Sequence, residues 1–127
     1  MAGNITVTVG KQNYRKGETV DIVVKGTNLR SVNALGFVLP YNPSDYEFAG
    51  VKPLGIGQME NLTNDRLHTN GEKVLYLTFV NIGDKSAIEG NADLFILKLK
   101  ARLNVKFNLR ITDGFLVDKN LSTAWFY

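Results

Sequence analysis

The chain has 127 residues, of which 44% are apolar, and it contains no cysteine. That length predicts one domain with one packed core, and the lack of thiols excludes disulfides, thiolate metal sites and cysteine nucleophiles. The formal charge is +3, from 15 basic and 12 acidic side chains, a modest excess beside the clustered charge of nucleic-acid-binding proteins, so we expect no nucleic-acid partner.

Two strands are predicted near the N-terminus. Apolar and polar residues alternate over 5–9 and again over 20–25, and a turn is predicted over 14–18. Residues 1–3, Met-Ala-Gly, are predicted to be an added start. The chain would then be a piece of something longer.

The segment 32–54 reads VNALGFVLPYNPSDYEFAGVKPL and predicts two strands that meet at a corner. Pro43 fixes its own φ and pushes Asn42 out of the α region. We expect Ser44 and Asp45 to cap a tight turn there. The chain must therefore reverse direction or change sheet at this corner, and both flanks have the period of two that a core-facing strand needs.

The middle of the chain predicts a loop followed by a central strand. Residues 58–71 are polar and weakly periodic, which is typical of a loop with one short edge strand. Residues 73–82, KVLYLTFVNI, are rich in β-branched and aromatic residues and are apolar on both faces. That pattern favours a central strand.

The C-terminal part predicts a hairpin and two further strands. Strict alternation over 94–103 favours a strand over a helix, and the alternation over 105–111 predicts a partner strand joined to it near Asn104. Strands are also predicted over 115–117 and 124–127. The total of about nine strands without an amphipathic helix predicts an all-β chain, an antiparallel β-sandwich of jelly-roll topology, as a single domain over 1–127.

The search for catalytic and metal-binding chemistry yields no site. His68 is the only histidine, so a multi-histidine metal site is excluded and a histidine-based triad is not supported. The acid pairs Glu60 with Asp65 and Asp113 with Asp118 are loose pairs of a kind found in most chains. The segment 113–118 also lacks the alternating acidic ligands of a calcium-binding loop. We therefore predict no catalytic residue, no metal site and no cofactor.

Several segments together resemble the cohesin family of bacterial extracellular modules. They are KGETVDIVVKGTNL, ALGFVLPYNPSDYEFAGVKPL, KVLYLTFVNIG, ADLFILKLKA and GFLVDKNLS. In that family a hydrophobic strand runs into a Tyr-Asp-Pro corner, which Tyr41-Asn42-Pro43 matches with Asn in place of Asp. The closing Gly-Phe and Asp-Lys/Asn-Leu stretch is matched by Gly114-Phe115 and by 118–121.

The resemblance implies a nine-stranded jelly roll that binds without catalysis. It implies a dockerin-type protein partner held on one sheet face, and a place within a larger secreted, multimodular bacterial protein such as a glycoside hydrolase, outside the cell or at its surface. Two alternatives stay open: a carbohydrate-binding module on the same scaffold, and a structural spacer beside a catalytic domain.

The alternation of residues supplies candidate partner-binding positions. If Phe37, Leu77, Phe107 and Leu109 point into the core, their neighbours point outward. These outward candidates are Gly36, Val38, Tyr76, Thr78, Lys106, Asn108 and Arg110. The alternative interpretation is that they form the solvated side of a sheet.

Sugar binding would need a flat or cleft-like aromatic platform. The aromatic candidates are Tyr14, Tyr41, Tyr46, Tyr76, Trp125, Phe126 and Tyr127, although Trp125 is predicted to pack over the core edge. A basic row could meet an anionic partner or could simply keep the surface soluble; it consists of Lys98, Lys100, Arg102, Lys106 and Arg110.

No apolar run reaches the roughly 18 residues of a bilayer span, so we expect no membrane insertion.

Overall fold

The structure, a computed structural model, describes the backbone of residues 3–126 and the side chains of residues 3–123. Its described part contains strands and no helix. In chain order the strands are β1 (Asn4–Val9), β2 (Asn13–Tyr14), β3 (Thr19–Tyr41), β4 (Tyr46–Pro53), β5 (Glu60–Asn61), β6 (Asn64–Leu67), β7 (Lys73–Val80), β8 (Ile88–Ala101), β9 (Val105–Lys106), β10 (Asp113–Asp118) and β11 (Thr123–Phe126). Within this range no helix could cross a bilayer.

The long strand β3 belongs to both layers of a sandwich. Its first part pairs with β1 and β8, and β8 pairs in turn with β4. Its second part pairs with β7 on one edge and with β10 on the other. β7 also pairs with β5 and β6, and β10 also pairs with β11. We call the first layer sheet I and the second layer sheet II. Counting β3 once in each layer, and β5 with β6 as one broken edge strand, the sandwich has the predicted nine strands.

The crossover in β3 depends on two residues with left-handed backbone. Asn28 has φ 54° and Ser31 has φ 51°, and the register with β8 shifts on both sides of Leu29. Such conformations are disfavoured outside glycine. They are held here by β8, since Asn91 Oδ1 accepts the Asn28 N–H at 2.9 Å, and Glu89 Oε1 accepts the Ser31 N–H at 2.9 Å and its hydroxyl at 2.8 Å. These irregularities bend β3 from one layer into the other.

The predicted corner changes sheet. β3 leaves sheet II at Tyr41, and β4 enters sheet I by pairing Tyr46 with Ala101. The turn is capped by Asn42, whose Oδ1 accepts the Ser44 N–H at 2.9 Å while its carbonyl accepts the Asp45 and Tyr46 N–H groups. The expectation that Ser44 and Asp45 supply the cap was therefore wrong. The cap is the side chain of Asn42, which precedes the proline and is close enough to accept the N–H group two residues further on.

The core lies between the two sheets. Phe37 of β3 and Phe79 of β7, both in sheet II, contact Phe95 of β8 in sheet I, with ring centroids 5.8 Å and 4.8 Å apart. Leu77 and Leu97 are also each 1% exposed. The predicted central strand and the predicted 94–103 strand are thereby confirmed as β7 and β8.

The predicted hairpin over 94–111 is wrong. Both edges of β8 are occupied, one by β3 and the other by β4, so no edge is left for the chain that follows. β9 pairs instead with β2, through Lys106 with Asn13. Residues 107–112 then cross the end of the sandwich, where Phe107, Leu109 and Ile111 pack against the core.

The loop over 58–71 carries two short edge strands instead of the one predicted. β5 and β6 pair with successive parts of β7, and the turn that joins β6 to β7 is closed by the His68 N–H donating to the Glu72 carbonyl at 2.9 Å. β7 is therefore paired on both edges, as a central strand must be.

Candidate functional site

The outer face of sheet II is apolar and uncharged along its central strands. The register places Ala34, Gly36 and Val38 of β3 opposite Val80, Thr78 and Tyr76 of β7, so these pairs share one face. On the other side of β3, β10 adds Phe115 opposite Gly36 and Val117 opposite Ala34. We call these residues the sheet II platform; they are Ala34, Gly36, Val38, Tyr76, Thr78, Val80, Phe115 and Val117.

The centre of the platform is an aromatic ring laid across a glycine. A Cβ atom at position 36 would lie 2.4 Å from Cε1 of Phe115 and 2.6 Å from its Cζ. Glycine thus lets the Phe115 ring approach the β3 backbone directly, and Gly36 is buried beneath it. The ring covers a backbone that would otherwise be open to water, an arrangement known to support sheet glycines.

A second aromatic residue, Tyr76, lies one pair further along the platform. Its hydroxyl is 3.2 Å from Nε2 of His68, and the two rings are tilted at 6.2 Å between centroids. His68, the only histidine, therefore sits at the margin of the platform and orients Tyr76. The margin also carries polar side chains, since Asn64 of β6 lies opposite Tyr76 and Asp113 of β10 lies opposite Val38.

The outer face of sheet I has the opposite character. Lys98 of β8 forms an ion pair with Asp21 of β3 at 3.0 Å, and Lys100 lies opposite Glu47 of β4. Long charged side chains of this kind, one pair of them in direct contact, are typical of a solvated face. Among these charges the outer face of sheet I holds one apolar cross-strand pair, Val23 with Ile96. The apolar side chains of sheet II instead extend across three neighbouring strands, β7, β3 and β10, which is a feature of protein interaction sites.

The structure brings four of the seven predicted outward residues together. Gly36, Val38, Tyr76 and Thr78 form two adjacent cross-strand pairs at the centre of the platform. The other three, Lys106, Asn108 and Arg110, are exposed but lie on β9 and the segment after it, at the end of the sandwich. Asn108 contacts the corner there, because its Oδ1 accepts the Tyr46 hydroxyl at 3.3 Å.

Phe115 is the residue that the alternation argument missed. The sequence 113–118, DGFLVD, places an apolar residue on each side of the strand, and Leu116 is the one that enters the core at 1% exposure. Phe115 and Val117 must then face outward. Trp125 lies opposite Phe115 in the register of β10 and β11, but its side chain, that of Phe126, and all of Tyr127 lie outside the described residues, so the packing predicted for Trp125 stays a prediction.

Three of the aromatic candidates for sugar stacking belong to the core. Tyr14, Tyr41 and Tyr46 are 5%, 2% and 1% exposed. The Tyr41 hydroxyl donates to Asp65 Oδ1 at 2.7 Å, and Lys73 Nζ donates to the other oxygen of Asp65 at 2.9 Å. Burial, together with this carboxylate, raises the pKa of Tyr41 above its usual range. Burial also raises the pKa of Tyr46.

The acidic candidates hold turns and ion pairs. Asp118 Oδ1 accepts the Asn120 and Ser122 N–H groups, and Asp113 Oδ1 accepts the Gly114 N–H. Asp65 is engaged as described above. Among the side chains that the structure describes, no group of three or more His, Cys, Asp or Glu residues is placed to hold a metal ion.

Comparison with known proteins gives one family and a set of related folds. The sequence model of the cohesin domain matches residues 5–123. No curated protein matches at a significant level.

Solved structures similar to this chain include three cohesins. A cohesin module of a Clostridium perfringens family 33 glycoside hydrolase is 17% identical, with a TM-score of 0.70 and coverage of 96% of this chain and 87% of that one. A type II cohesin domain from the cellulosome of Acetivibrio cellulolyticus is 11% identical, with a TM-score of 0.74 and coverage of 98% and 88%. A type I cohesin–dockerin complex from Clostridium thermocellum is 14% identical, with a TM-score of 0.69 and coverage of 94% and 90%. At these identities the likeness establishes the fold.

Proposed function

Because this chain belongs to the cohesin family, we propose that it is a non-catalytic interaction module that binds a dockerin-type protein partner through the sheet II platform. The observation that carries the proposal is the difference between the two outer faces. One is crossed by ion pairs, whereas the other presents apolar side chains around two aromatic residues.

The platform has the composition that a protein interface needs. Interface cores are depleted in charge and enriched in aromatic residues, and a few such anchors supply most of the binding energy. Phe115 and Tyr76 fill that role at the centre, with Val38 and Val80 beside them. The polar side chains of Asn64, Asp113 and His68 form a rim. His68 fixes the Tyr76 hydroxyl before any partner arrives, which reduces the entropy lost on binding.

We also propose that residues 1–127 act as one module of a larger, secreted or surface-bound bacterial protein of polysaccharide metabolism. The Clostridium perfringens relative supports this setting, because it is a module of a glycoside hydrolase. The cohesin–dockerin complexes among the similar structures support the choice of partner. An accessory role of this kind involves no chemical step of its own.

The test is binding to a panel of purified dockerin modules, measured by isothermal titration calorimetry. For any dockerin that binds, we expect Tyr76→Ala and Phe115→Ala each to weaken binding by about 30-fold or more, as for anchor residues at the centre of an interface. The matched control is Ile96→Ala, an apolar truncation on the outer face of sheet I, which should change affinity less than about twofold.

Three results would refute the proposal at different levels. If Ile96→Ala abolishes binding while the platform variants bind normally, the partner uses sheet I and the placement is wrong. If no dockerin binds, while a glycan array detects a neutral sugar whose binding depends on Tyr76, the module binds carbohydrate. Binding to neither class would favour the spacer role.

A further inference from the structure

One end of the sandwich carries a local excess of positive charge. Two neighbouring shallow clefts open there, on either side of the turn at 15–18 that leads into β3. Six cationic side chains line them, and these are Lys11, Arg15, Lys16, Lys100, Arg102 and Lys106. We call this surface the basic end.

Few acids balance these cations. Glu18 and Glu47 are the only carboxylates that line the two clefts, which leaves an excess of four positive charges, against three for the whole chain. Each of these acids is already paired with one cation, Glu18 with Lys11 and Glu47 with Arg102 at 3.8 Å. The remaining four, Arg15, Lys16, Lys100 and Lys106, make no ion pair with any residue between 3 and 123.

The backbone that carries these cations is held by hydrogen bonds between segments far apart in the sequence. The Gly17 N–H donates to the Ala101 carbonyl at 2.8 Å, and the Ala101 N–H donates to the Glu18 carbonyl at 2.9 Å. Asn104 Oδ1 accepts the Lys16 N–H at 2.9 Å. Pairing of β9 with β2 fixes the position of Lys106. Like charges that line the same cleft repel one another, and an anion placed among them relieves that repulsion without reordering the chain.

The clefts lack an accessible aromatic side chain. Tyr14, their only aromatic residue, is 5% exposed and lies under the Lys11 ammonium at 5.1 Å from the ring centroid. It cannot stack on a nucleobase or serve as the aromatic anchor of a protein interface. What the clefts offer is ammonium and guanidinium groups with the amides of Asn13 and Asn104 among them. These groups recognise carboxylate or sulfate together with hydroxyl groups.

We propose that the basic end binds a linear acidic polysaccharide, with successive anionic sugar residues crossing the two clefts. None of the platform residues lines either cleft, so a polysaccharide and a protein partner can be bound at the same time. The site would hold the module on an anionic glycan while the platform engages its partner.

The experiment measures binding of the full chain to polygalacturonate, a carboxylate polymer, and to heparin, a sulfated one, at about 150 mM salt, where the Debye length is about 8 Å. Neutral dextran and duplex and single-stranded DNA form the other arms. The test variant is Lys16→Glu/Lys100→Glu. The control is Lys52→Glu/Lys119→Glu, which changes the net charge by the same amount at two exposed lysines outside the basic end.

We expect the test variant to weaken binding to both acidic polymers at least about tenfold, and the control less than about twofold, since local contacts outweigh net charge at this salt concentration. A milder variant, Lys16→Gln/Lys100→Gln, should fall between them and guards against misfolding, which circular dichroism would reveal. Comparison of the two polymers tells carboxylate from sulfate recognition.

Four outcomes would overturn the proposal. They are equal losses in the test and control variants, binding of dextran as strong as that of the acidic polymers, no binding of either acidic polymer, and tighter binding of DNA with the same dependence on Lys16 and Lys100. The last would make the partner a nucleic acid. None of these outcomes bears on dockerin binding, which is measured separately.

Discussion

Replacement of Gly36 by alanine tests the packing at the centre of the platform. Gly36 lies in the interior of β3 without a left-handed φ, so alanine can adopt the same backbone and would stabilise the strand by about 0.5–1 kcal/mol. Against this, the new methyl group would lie 2.4 Å from Cε1 of Phe115, far inside contact distance. The ring must shift, at a cost of about 1–3 kcal/mol for overpacking. We therefore expect a net loss of up to about 2.5 kcal/mol.

A double-mutant cycle separates the two effects. Once Phe115→Ala has removed the ring, Gly36→Ala should change sign and stabilise by about 0.5–1 kcal/mol, which makes the coupling between the two positions about 1–3 kcal/mol. Urea denaturation followed by circular dichroism gives the free energies of unfolding. Gly10→Ala is the control, because nothing lies within 4 Å of a Cβ atom there, and its effect should be equal in both backgrounds. Equal effects of Gly36→Ala in the two backgrounds would show that Phe115 does not lie on Gly36.

Three further predictions concern the elements that hold the platform in place. Glu89→Ala removes the acceptor that holds Ser31 in its left-handed conformation and should lower the free energy of unfolding by about 1 kcal/mol, while Glu89→Gln keeps most of it; no loss in the alanine variant would contradict this account of the crossover. Asn42→Ala should cost about 1 kcal/mol by thermal or urea unfolding and Asn42→Asp much less, since a carboxylate can accept the same N–H group; equal losses would rule out the cap. Above about pH 10 the tyrosines of the unfolded chain ionise, whereas the raised pKa of Tyr41 keeps its hydroxyl protonated in the folded state. The free energy of unfolding should therefore fall as the pH rises, by at most about 1.4 kcal/mol per pH unit for this group. If Tyr41→Phe leaves the slope of the free energy of unfolding against pH unchanged, the assignment is refuted.

Local patterns were enough to predict most of the fold. β7 and β8 follow from alternation and composition, and the corner at Pro43 follows from the geometry of a single residue. Pairing partners depend on residues far apart in the sequence, which is why 105–111 was assigned to β8 as a hairpin partner although both edges of β8 are occupied. The length of β3 could not be predicted either. Residue types such as Asn28 and Ser31 are typical of a turn, and the strand continues through them because side chains of β8 accept their N–H groups.

The platform was predictable in part. Gly36, Val38, Tyr76 and Thr78 follow from strand parity once Phe37 and Leu77 are placed in the core. Their adjacency across two strands is a property of register, which the sequence of either strand does not contain. The same parity rule was applied to Lys106, Asn108 and Arg110, which lie elsewhere. Parity determines whether a side chain points into the core or out of it, but it does not determine on which outer face of the sandwich the side chain lies.

The outward residues of β7 and β10 break the rule that makes an exposed sheet face soluble. In a two-layer antiparallel sandwich the outer positions are expected to be polar. The central strands of sheet I follow this expectation with Asp21 and Lys98 and depart from it at one pair, Val23 and Ile96. In sheet II the corresponding positions hold Tyr76, Val80 and Phe115, which bring no gain in core packing and lower solubility. A local rule broken at adjacent positions of neighbouring strands marks a surface kept for contact. The sequence therefore indicates the platform where alternation fails and apolar residues occupy both sides of the same strand, as Phe115 and Leu116 do in β10.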